Sequence, residues 1–146
     1  MKVLVINGPN LNLLGTREPD IYGRETLADI ASRCQESGAV RGLDVEFKQS
    51  NHEGEIVEWI QQAINNVDAL VINAAAYTHT SVAIHDALRA FPGYKVELHI
   101  SNPHLRERFR HVSYVSPAVD AVVAGLGTAG YAHVIEMLPD LLGRID

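Results

Sequence analysis

Two residues of the run Lys95–Ile100 place a carboxylate near an imidazole. Glu97 and His99 stand two positions apart, and side chains at that spacing lie on the same face of a strand. A carboxylate beside an imidazole fixes its tautomer and raises its basicity, as a general acid or base requires. Two other interpretations stay open, because His99 could be a satisfied core histidine or the pair could bind zinc. The chain has no second close pair of histidines or cysteines, so we predict no metal.

Arg17 and Tyr22 form a second candidate pair, within the stretch Asn7–Gly23. A tyrosine has a reference pKa of about 10, which is too high for a base at neutral pH. A cation within about 4–6 Å favours the phenolate and lowers that pKa, and an arginine keeps its charge. Spacing alone leaves the alternative open that Arg17 is a salt-bridged surface residue and Tyr22 a packed one.

Alternating strand and helix patterns would position these residues. Apolar runs predict five strands, at Val3–Ile6, Asp44–Gln49, Asp68–Asn73, Lys95–Ile100 and Ala118–Ala124. Apolar residues at helical spacing fall between them, with Gly38 and Gly42 expected to close the first helix and the second apolar stripe reaching Val67. The alternation predicts an α/β fold, a three-layer sandwich with a parallel sheet covered on both faces. Because Asp44–Gln49 alternates like an edge strand, we expect the flavodoxin-like order 2-1-3-4-5.

Polar side chains follow three of these strands. In a parallel sheet the carboxyl ends share one edge, which is where such folds bind ligands. The residues concerned are Asn7, Asn12, Arg17 and Tyr22 after the first strand, Asn73, Tyr77 and His79 after the third, and His99, Ser101, Asn102 and the arginines 106 to 110 at the fourth. We therefore predict a site at this edge, although Asn73 could merely cap its strand and His79 could bond its own loop backbone. The stretch Asn7–Gly23 exceeds the usual connection of about 2–6 residues, which makes it one wall of the site and a candidate lid.

Length and composition predict one globular domain over residues 1–146. Hydrophobic residues make up 47% and charged residues 21% of the 146 residues, as is usual for soluble proteins. No apolar run approaches the roughly 20 residues that span a bilayer, and the first residues enter a strand pattern rather than a signal peptide. A single cysteine, Cys34, permits no internal disulfide and is expected in the core. We therefore expect a cytoplasmic protein without membrane contact.

Charge and glycine patterns reduce the number of ligand classes that the chain could bind. The net charge of −6 argues against nucleic-acid binding, while the cluster of Arg106, Arg108 and Arg110 suits a small anionic ligand. Gly125, Gly127 and Gly130 match the dinucleotide fingerprint in letters, but no later strand could supply the acidic residue that holds a ribose. We predict instead that these glycines allow a tight turn and close helix packing, and that they bind no dinucleotide.

Five blocks of the sequence resemble the type II 3-dehydroquinases. They are Asn-Gly-Pro-Asn-Leu-Asn-Leu-Leu-Gly-Thr-Arg-Glu-Pro-Asp-Ile-Tyr-Gly from Asn7, Gln-Ser-Asn-His-Glu-Gly from Gln49, Thr-His-Thr-Ser from Thr78, Glu-Leu-His-Ile-Ser-Asn from Glu97 and Phe-Arg-His from Phe109. The resemblance implies dehydration of 3-dehydroquinate to 3-dehydroshikimate, in the shikimate route to aromatic amino acids, without metal or cofactor. Such a reaction passes through an enolate that needs stabilisation, and it needs a proton donor for the leaving hydroxide.

The resemblance also assigns roles to residues. It implies that Tyr22 is the base, as a phenolate, with its pKa lowered by Arg17, and that Asn12 stabilises the enolate through water. It implies that His99 is the acid and that Glu97 orients it. Substrate binding is implied for Asn73, His79 and Arg110, for the backbone N–H groups of Ile100 and Ser101, and for Asp86, which in the family reaches the site of a neighbouring subunit. The resemblance further implies a homododecamer of four trimers and a lid formed by residues 15–23.

The sequence departs from the family pattern at Ala74-Ala75, where Pro-Gly or Pro-Ala is expected, and at His85 and Val112. None of these positions carries one of the implied roles. Two further hypotheses stay open: a non-catalytic binding module of the same fold, and a metal-dependent hydrolase that uses Glu97 and histidines. The joint presence of Arg17, Tyr22 and His99 favours catalysis, because a binding module has no need of all three.

Overall fold

A five-stranded parallel sheet forms the centre of the computed structural model, which describes residues 1–16 and 19–143, without the side chains of residues 21 and 22. The strands lie in the order β2-β1-β3-β4-β5, and every neighbouring pair is parallel. Their bounds are β1 Lys2–Asn7, β2 Asp44–Gln49, β3 Ala69–Asn73, β4 Tyr94–His99 and β5 Ala121–Ala124. The predicted fold class and strand order are confirmed, with β2 at one edge.

Helices cover both faces of the sheet. They are α1 Pro19–Tyr22, α2 Leu27–Val40, α3 Glu53–Ala63, α4 Val82–Ala90 and α5 Ala129–Leu142. Val3 and Val5 of β1 pack in the core with α2 and α5, whereas Leu4 and Ile6 pack in the core with α3 and α4. Burial on both faces explains why β1 is apolar at successive positions. Among the described helices, none is at once long and apolar enough to cross a membrane.

Helix α2 begins at a capping box and continues past its glycine. The Thr26 side chain accepts a hydrogen bond from the Asp29 N–H at 3.2 Å, and the Asp29 carboxylate accepts one from the Thr26 N–H at 2.9 Å. The prediction that Gly38 closes the helix is wrong, because α2 runs on to Val40. A Cβ at Gly38 would meet the side chain of Val45, so glycine here allows α2 to lie close to β2.

The strands β1, β3 and β4 differ by one residue at their ends from the predictions, and larger differences occur elsewhere. Ala118–Ala124 is a strand only from Ala121 onward, because a 3-10 turn with a proline near its start occupies Ser116–Ala118. The second apolar stripe was expected to reach Val67, but α3 ends at Ala63 and Asn65 follows with φ of 66°. The stretch Asn7–Gly23 is not irregular throughout, since it includes a 3-10 turn at Leu11–Leu13 as well as α1.

The glycines between β5 and α5 form a tight turn. Gly125 and Gly127 have φ of 85° and 66°, values in the left-handed region that favours glycine. A Cβ on Gly130 would lie 3.4 Å from Leu126 and 3.9 Å from Leu98, so α5 approaches β4 closely. The predicted role of these glycines in turning and packing is confirmed.

Candidate active site

The polar ends of the central strands lie side by side at the carboxyl edge of the sheet. Asn7 of β1 is in register with Asn73 of β3, and Ile72 of β3 is in register with Glu97 of β4. Asn7, Asn73 and Glu97 are all buried, although their side chains are polar. Buried polar side chains need hydrogen-bond partners, and those partners define the site.

Glu97 and His99 form a direct hydrogen bond. The side chains share a face of β4, and the Nε2–H of His99 donates to Oε1 of Glu97 at 2.7 Å. Glu97 is fully buried, while the side chain of His99 is 11% exposed. Because the carboxylate accepts from Nε2, the Nδ1 nitrogen of His99 is the one left to exchange a proton with a ligand. The predicted pairing is confirmed.

Two serines complete the surroundings of Glu97. The Ser113 hydroxyl donates to Oε1 at 3.0 Å, and the Ser116 hydroxyl donates to Oε2. Burial raises the pKa of Glu97, but the hydrogen bonds from His99, Ser116 and Ser113 outweigh it and hold the pKa below its ordinary value of 4.5. Glu97 is therefore a carboxylate at neutral pH. The sequence patterns missed both serines, which lie in an irregular segment.

The lowered pKa of Glu97 makes folding stability depend on pH. The stabilisation is present above the pKa of the unfolded chain and is lost as pH falls through the lower pKa of the folded state. Between about pH 7 and about pH 4, we expect the free energy of unfolding to fall less in Glu97→Gln than in the wild type. Urea unfolding at both pH values would measure this. Glu58→Gln, at an exposed position on α3, is the control, and equal pH dependence in all three proteins would contradict the prediction.

Tyr131 of α5 joins the ends of β1 and β3. Its hydroxyl donates to Oδ1 of Asn7 at 2.7 Å and accepts from Nδ2 of Asn73 at 2.8 Å. Burial raises the pKa of Tyr131, so it stays a phenol. Oδ1 of Asn73 also accepts from the N–H of Ala75 at 3.2 Å, so Asn73 does cap its strand, and one Nδ2 hydrogen is left for a ligand. No sequence pattern pointed to Tyr131, which lies on the apolar face of α5.

Ala75 holds an unusual backbone conformation for an alanine. Its φ of 51° lies in the left-handed region, which costs an alanine about 1–2 kcal/mol and glycine much less. The expected pattern allows either glycine or alanine at this position, so the departure is Ala74 in place of proline. Ala75 keeps this conformation, held by the hydrogen bond from its N–H to Asn73.

Side-chain amides tie together the loops after β1 and β2. Asn12 is exposed in the 3-10 turn Leu11–Leu13, and its Oδ1 accepts from Nε2 of Gln49 at 3.5 Å. The same Gln49 nitrogen donates to the carbonyl of Gly8 at 3.2 Å. Oδ1 of Asn12 thus faces β2, and the N–H₂ group of Asn12 has no acceptor among the described residues. The backbone carbonyl of Asn51 accepts a hydrogen bond from the Tyr77 hydroxyl at 2.7 Å, which links this region to the loop after β3.

Several predicted substrate-binding groups lie in the segments that follow β3 and β4. Nδ1–H of His79 donates to the carbonyl of Val112 at 2.7 Å, so its bond is to another loop and Nε2 stays available. Within the described residues, no acceptor bonds the N–H groups of Ile100 and Ser101. Arg110 lies near its own loop, where Nε donates to Glu107 at 2.8 Å.

The predicted roles of four further residues stay predictions. Asp86 is exposed on α4, and in the described part of the chain no hydrogen bond or ion pair joins Asp86 or Arg110 to the Glu97–His99 pair. Arg17 and the side chain of Tyr22 lie outside the described residues, so their pairing stays a prediction. Within residues 1–16 and 19–143, no three His, Cys, Asp or Glu side chains are grouped so that they could hold a metal ion.

The chain is similar to enzymes of one family over nearly its whole length. Residues 1–139 match the family described as dehydroquinase class II. A protein from Bartonella henselae named 3-dehydroquinate dehydratase is 56% identical over 144 residues, covering 99% of this chain and 97% of the relative. One of the same name from Variovorax paradoxus is 54% identical over 142 residues, covering 94% and 97%. The crystal structure of the type II dehydroquinase from Propionibacterium acnes aligns with a TM-score of 0.91 at 46% identity, over 95% of this chain and 96% of that one.

Proposed function

The chain belongs to the class II dehydroquinase family, and we propose that it dehydrates 3-dehydroquinate to 3-dehydroshikimate in the shikimate pathway of aromatic amino acid biosynthesis. The observation that carries this proposal is the hydrogen bond between the buried Glu97 and the partly exposed His99 at the carboxyl edge of the sheet, where Nδ1 of His99 has no partner among the described residues. A charged, oriented imidazole is the proton donor that loss of a hydroxyl requires. The names of the relatives specify the substrate.

The first chemical step is removal of a proton from the carbon next to the substrate ketone. We assign this step to the Tyr22 phenolate, whose pKa Arg17 would lower through its charge. The electron pair of the broken C–H bond passes to the ketone oxygen and forms an enolate. Asn12 suits stabilisation of this oxyanion through a water molecule, because its Oδ1 is turned toward Gln49 and its N–H₂ group is left to donate.

The second step expels the hydroxyl group β to the carbonyl. The enolate electrons return to form the conjugated C=C bond as the C–O bond breaks. His99, protonated on both nitrogens, gives the Nδ1 proton to the leaving oxygen, so that water departs rather than hydroxide. Glu97 stabilises the imidazolium before transfer and holds the Nε2–H of the neutral ring afterwards.

Substrate binding uses groups with unfilled hydrogen-bonding capacity. The N–H groups of Ile100 and Ser101 are assigned to the substrate carboxylate, as donors without an acceptor in the described chain. The remaining contacts are assigned to Asn73, His79 and Arg110, and to Asp86 of a neighbouring subunit. A homododecamer of four trimers would bring that Asp86 to the site, and the exposure of Asp86 on α4 is compatible with it. The steps above call for no metal or cofactor, and we place this single-domain enzyme in the cytoplasm.

An ultraviolet assay tests the function. The product is a conjugated enone, so absorbance should rise when the purified protein is mixed with 3-dehydroquinate. The rise should persist after treatment with EDTA, because no metal takes part in the proposed steps. A binding module without catalysis would show saturable binding without any absorbance change, and that outcome would contradict the proposal. Loss of activity with EDTA that zinc restores would favour the metal-dependent hydrolase class instead.

A further inference from the structure

Glu97 accepts hydrogen bonds from other donors in addition to His99. Among the described residues it is the only buried one with a charge, and an isolated buried carboxylate is costly. His99, Ser113 and Ser116 each donate to it. The two serines follow Glu97 by 16 and 19 residues, so a separate segment of chain supplies them.

The direction of the Ser113 hydrogen bond is fixed by its other partners. Its Oγ accepts from the N–H of Val115 at 3.1 Å and from the N–H of Ser116 at 2.9 Å. A hydroxyl has two acceptor lone pairs and one hydrogen. With both lone pairs occupied, the hydrogen of Ser113 must point to Oε1 of Glu97, at 3.0 Å. Ser113 is therefore an obligatory donor to the carboxylate.

The segment that carries the serines is anchored by the two residues between them. Val115 is fully buried in the core beneath α3 and α4. The N–H of Tyr114 donates to the carbonyl of Thr78 at 2.8 Å, and its carbonyl accepts from Nδ1–H of His85 at 2.7 Å. Ser116 opens a 3-10 turn whose position these contacts determine. Both hydroxyls are thus held in place before any ligand binds.

We infer that Ser113 and Ser116 are positioning residues for the general acid. They keep Glu97 as an oriented carboxylate, so the shared proton stays on Nε2 of His99 and Nδ1 faces the substrate. Without these donors a carboxylate in this buried site would take the Nε2 proton from the imidazolium. The products would be a neutral glutamic acid whose O–H donates to Nε2 and a neutral ring whose proton is on Nδ1. The catalytic part of this inference depends on the proposed dehydration, whereas the tautomer part does not.

Alanine substitutions test the catalytic part. We expect Ser113→Ala and Ser116→Ala each to lower kcat by about 10-fold to 100-fold, the size expected when a hydrogen bond to a charged group is lost, with KM almost unchanged. Ser113→Thr and Ser116→Thr keep the hydroxyl and should retain most of the activity. Ser37→Ala is the matched control, because Ser37 on α2 also hydrogen-bonds a glutamate, Glu136 on α5, at 3.3 Å.

The ¹⁵N chemical shifts of His99 test the tautomer part without substrate. In labelled wild-type protein at a pH where the ring is neutral, the proton should be on Nε2, and the Ser113→Ala/Ser116→Ala variant should show a mixture of both tautomers. The single variants serve if the double variant does not fold. An unchanged tautomer in folded alanine variants would overturn the inference, even if kcat fell. A wild-type protein inactive on 3-dehydroquinate would defeat the proposed function, while the shifts would still decide whether the serines fix the tautomer.

Discussion

Replacing His99 by glutamine is expected to lower kcat by about 100-fold to 10,000-fold, the range for loss of one acid–base group. The glutamine amide can still donate to Glu97, where Nε2 of His99 donates at 2.7 Å in the wild type. It cannot provide a titratable nitrogen in place of Nδ1, so the leaving hydroxyl would depart without a proton. Initial rates from the enone absorbance measure kcat, and the free energy of unfolding shows whether the fold is retained.

The control for this substitution is another histidine on the same chain. His133 of α5 is 60% exposed and pairs only with Glu136 in the described part of the chain. We expect His133→Gln to retain wild-type kcat. If His99→Gln kept activity within a few-fold of the wild type, His99 would not be the acid.

Tyr22→Phe and Arg17→Ala should each lower kcat by at least about 100-fold to 10,000-fold. Tyr22→Phe removes the proposed base, and Arg17→Ala removes the charge that would make its phenolate accessible at neutral pH. Residues that act as a unit are not additive, so the double variant should be about as slow as Tyr22→Phe alone. The same absorbance assay measures all three variants.

Matched substitutions at the other end of the sheet serve as controls. Tyr94 begins β4, and Arg41 follows α2 just before β2 begins. Tyr94→Phe and Arg41→Ala should therefore leave kcat almost unchanged. A mild effect of Tyr22→Phe, comparable to that of Tyr94→Phe, would exclude Tyr22 as the base. Fully additive losses for Tyr22 and Arg17 would show that the guanidinium acts on something other than the phenol.

The features that could be predicted from the sequence depend on patterns of apolar and polar residues over a few neighbouring positions. A strand buried on both faces must be apolar at successive positions, which located β1 and β3. The alternation within Asp44–Gln49 indicated an edge strand, and β2 does lie at an edge. The two-residue period of a strand placed Glu97 beside His99. Each of these inferences needed only a few neighbouring residues.

The missed features depend on long-range contacts. Ser113 and Ser116 lie in a segment with no regular pattern, and only the packing of that segment brings them to Glu97. Gly38 has the residue type of a helix end, yet its neighbour Val45 on the adjacent strand is what requires a glycine. Tyr131 falls on an apolar helix face, where a hydroxyl leaves no trace in the hydrophobic pattern. Such contacts follow from the assembled fold and not from local propensity.

Tyr131 also affects the order in which parts of the chain can fold during synthesis. Asn7 leaves the ribosome long before Tyr131, which follows it by 124 residues. A buried amide without a partner costs the full desolvation of that group, so the ends of β1 and β3 cannot settle into their native hydrogen bonding until α5 docks. A nascent chain that lacks α5 can pair its strands, but it cannot form the hydrogen bonds of Tyr131 at the carboxyl edge of the sheet. The native hydrogen bonding of this edge of the sheet therefore forms only after the last helix has been synthesised and has docked.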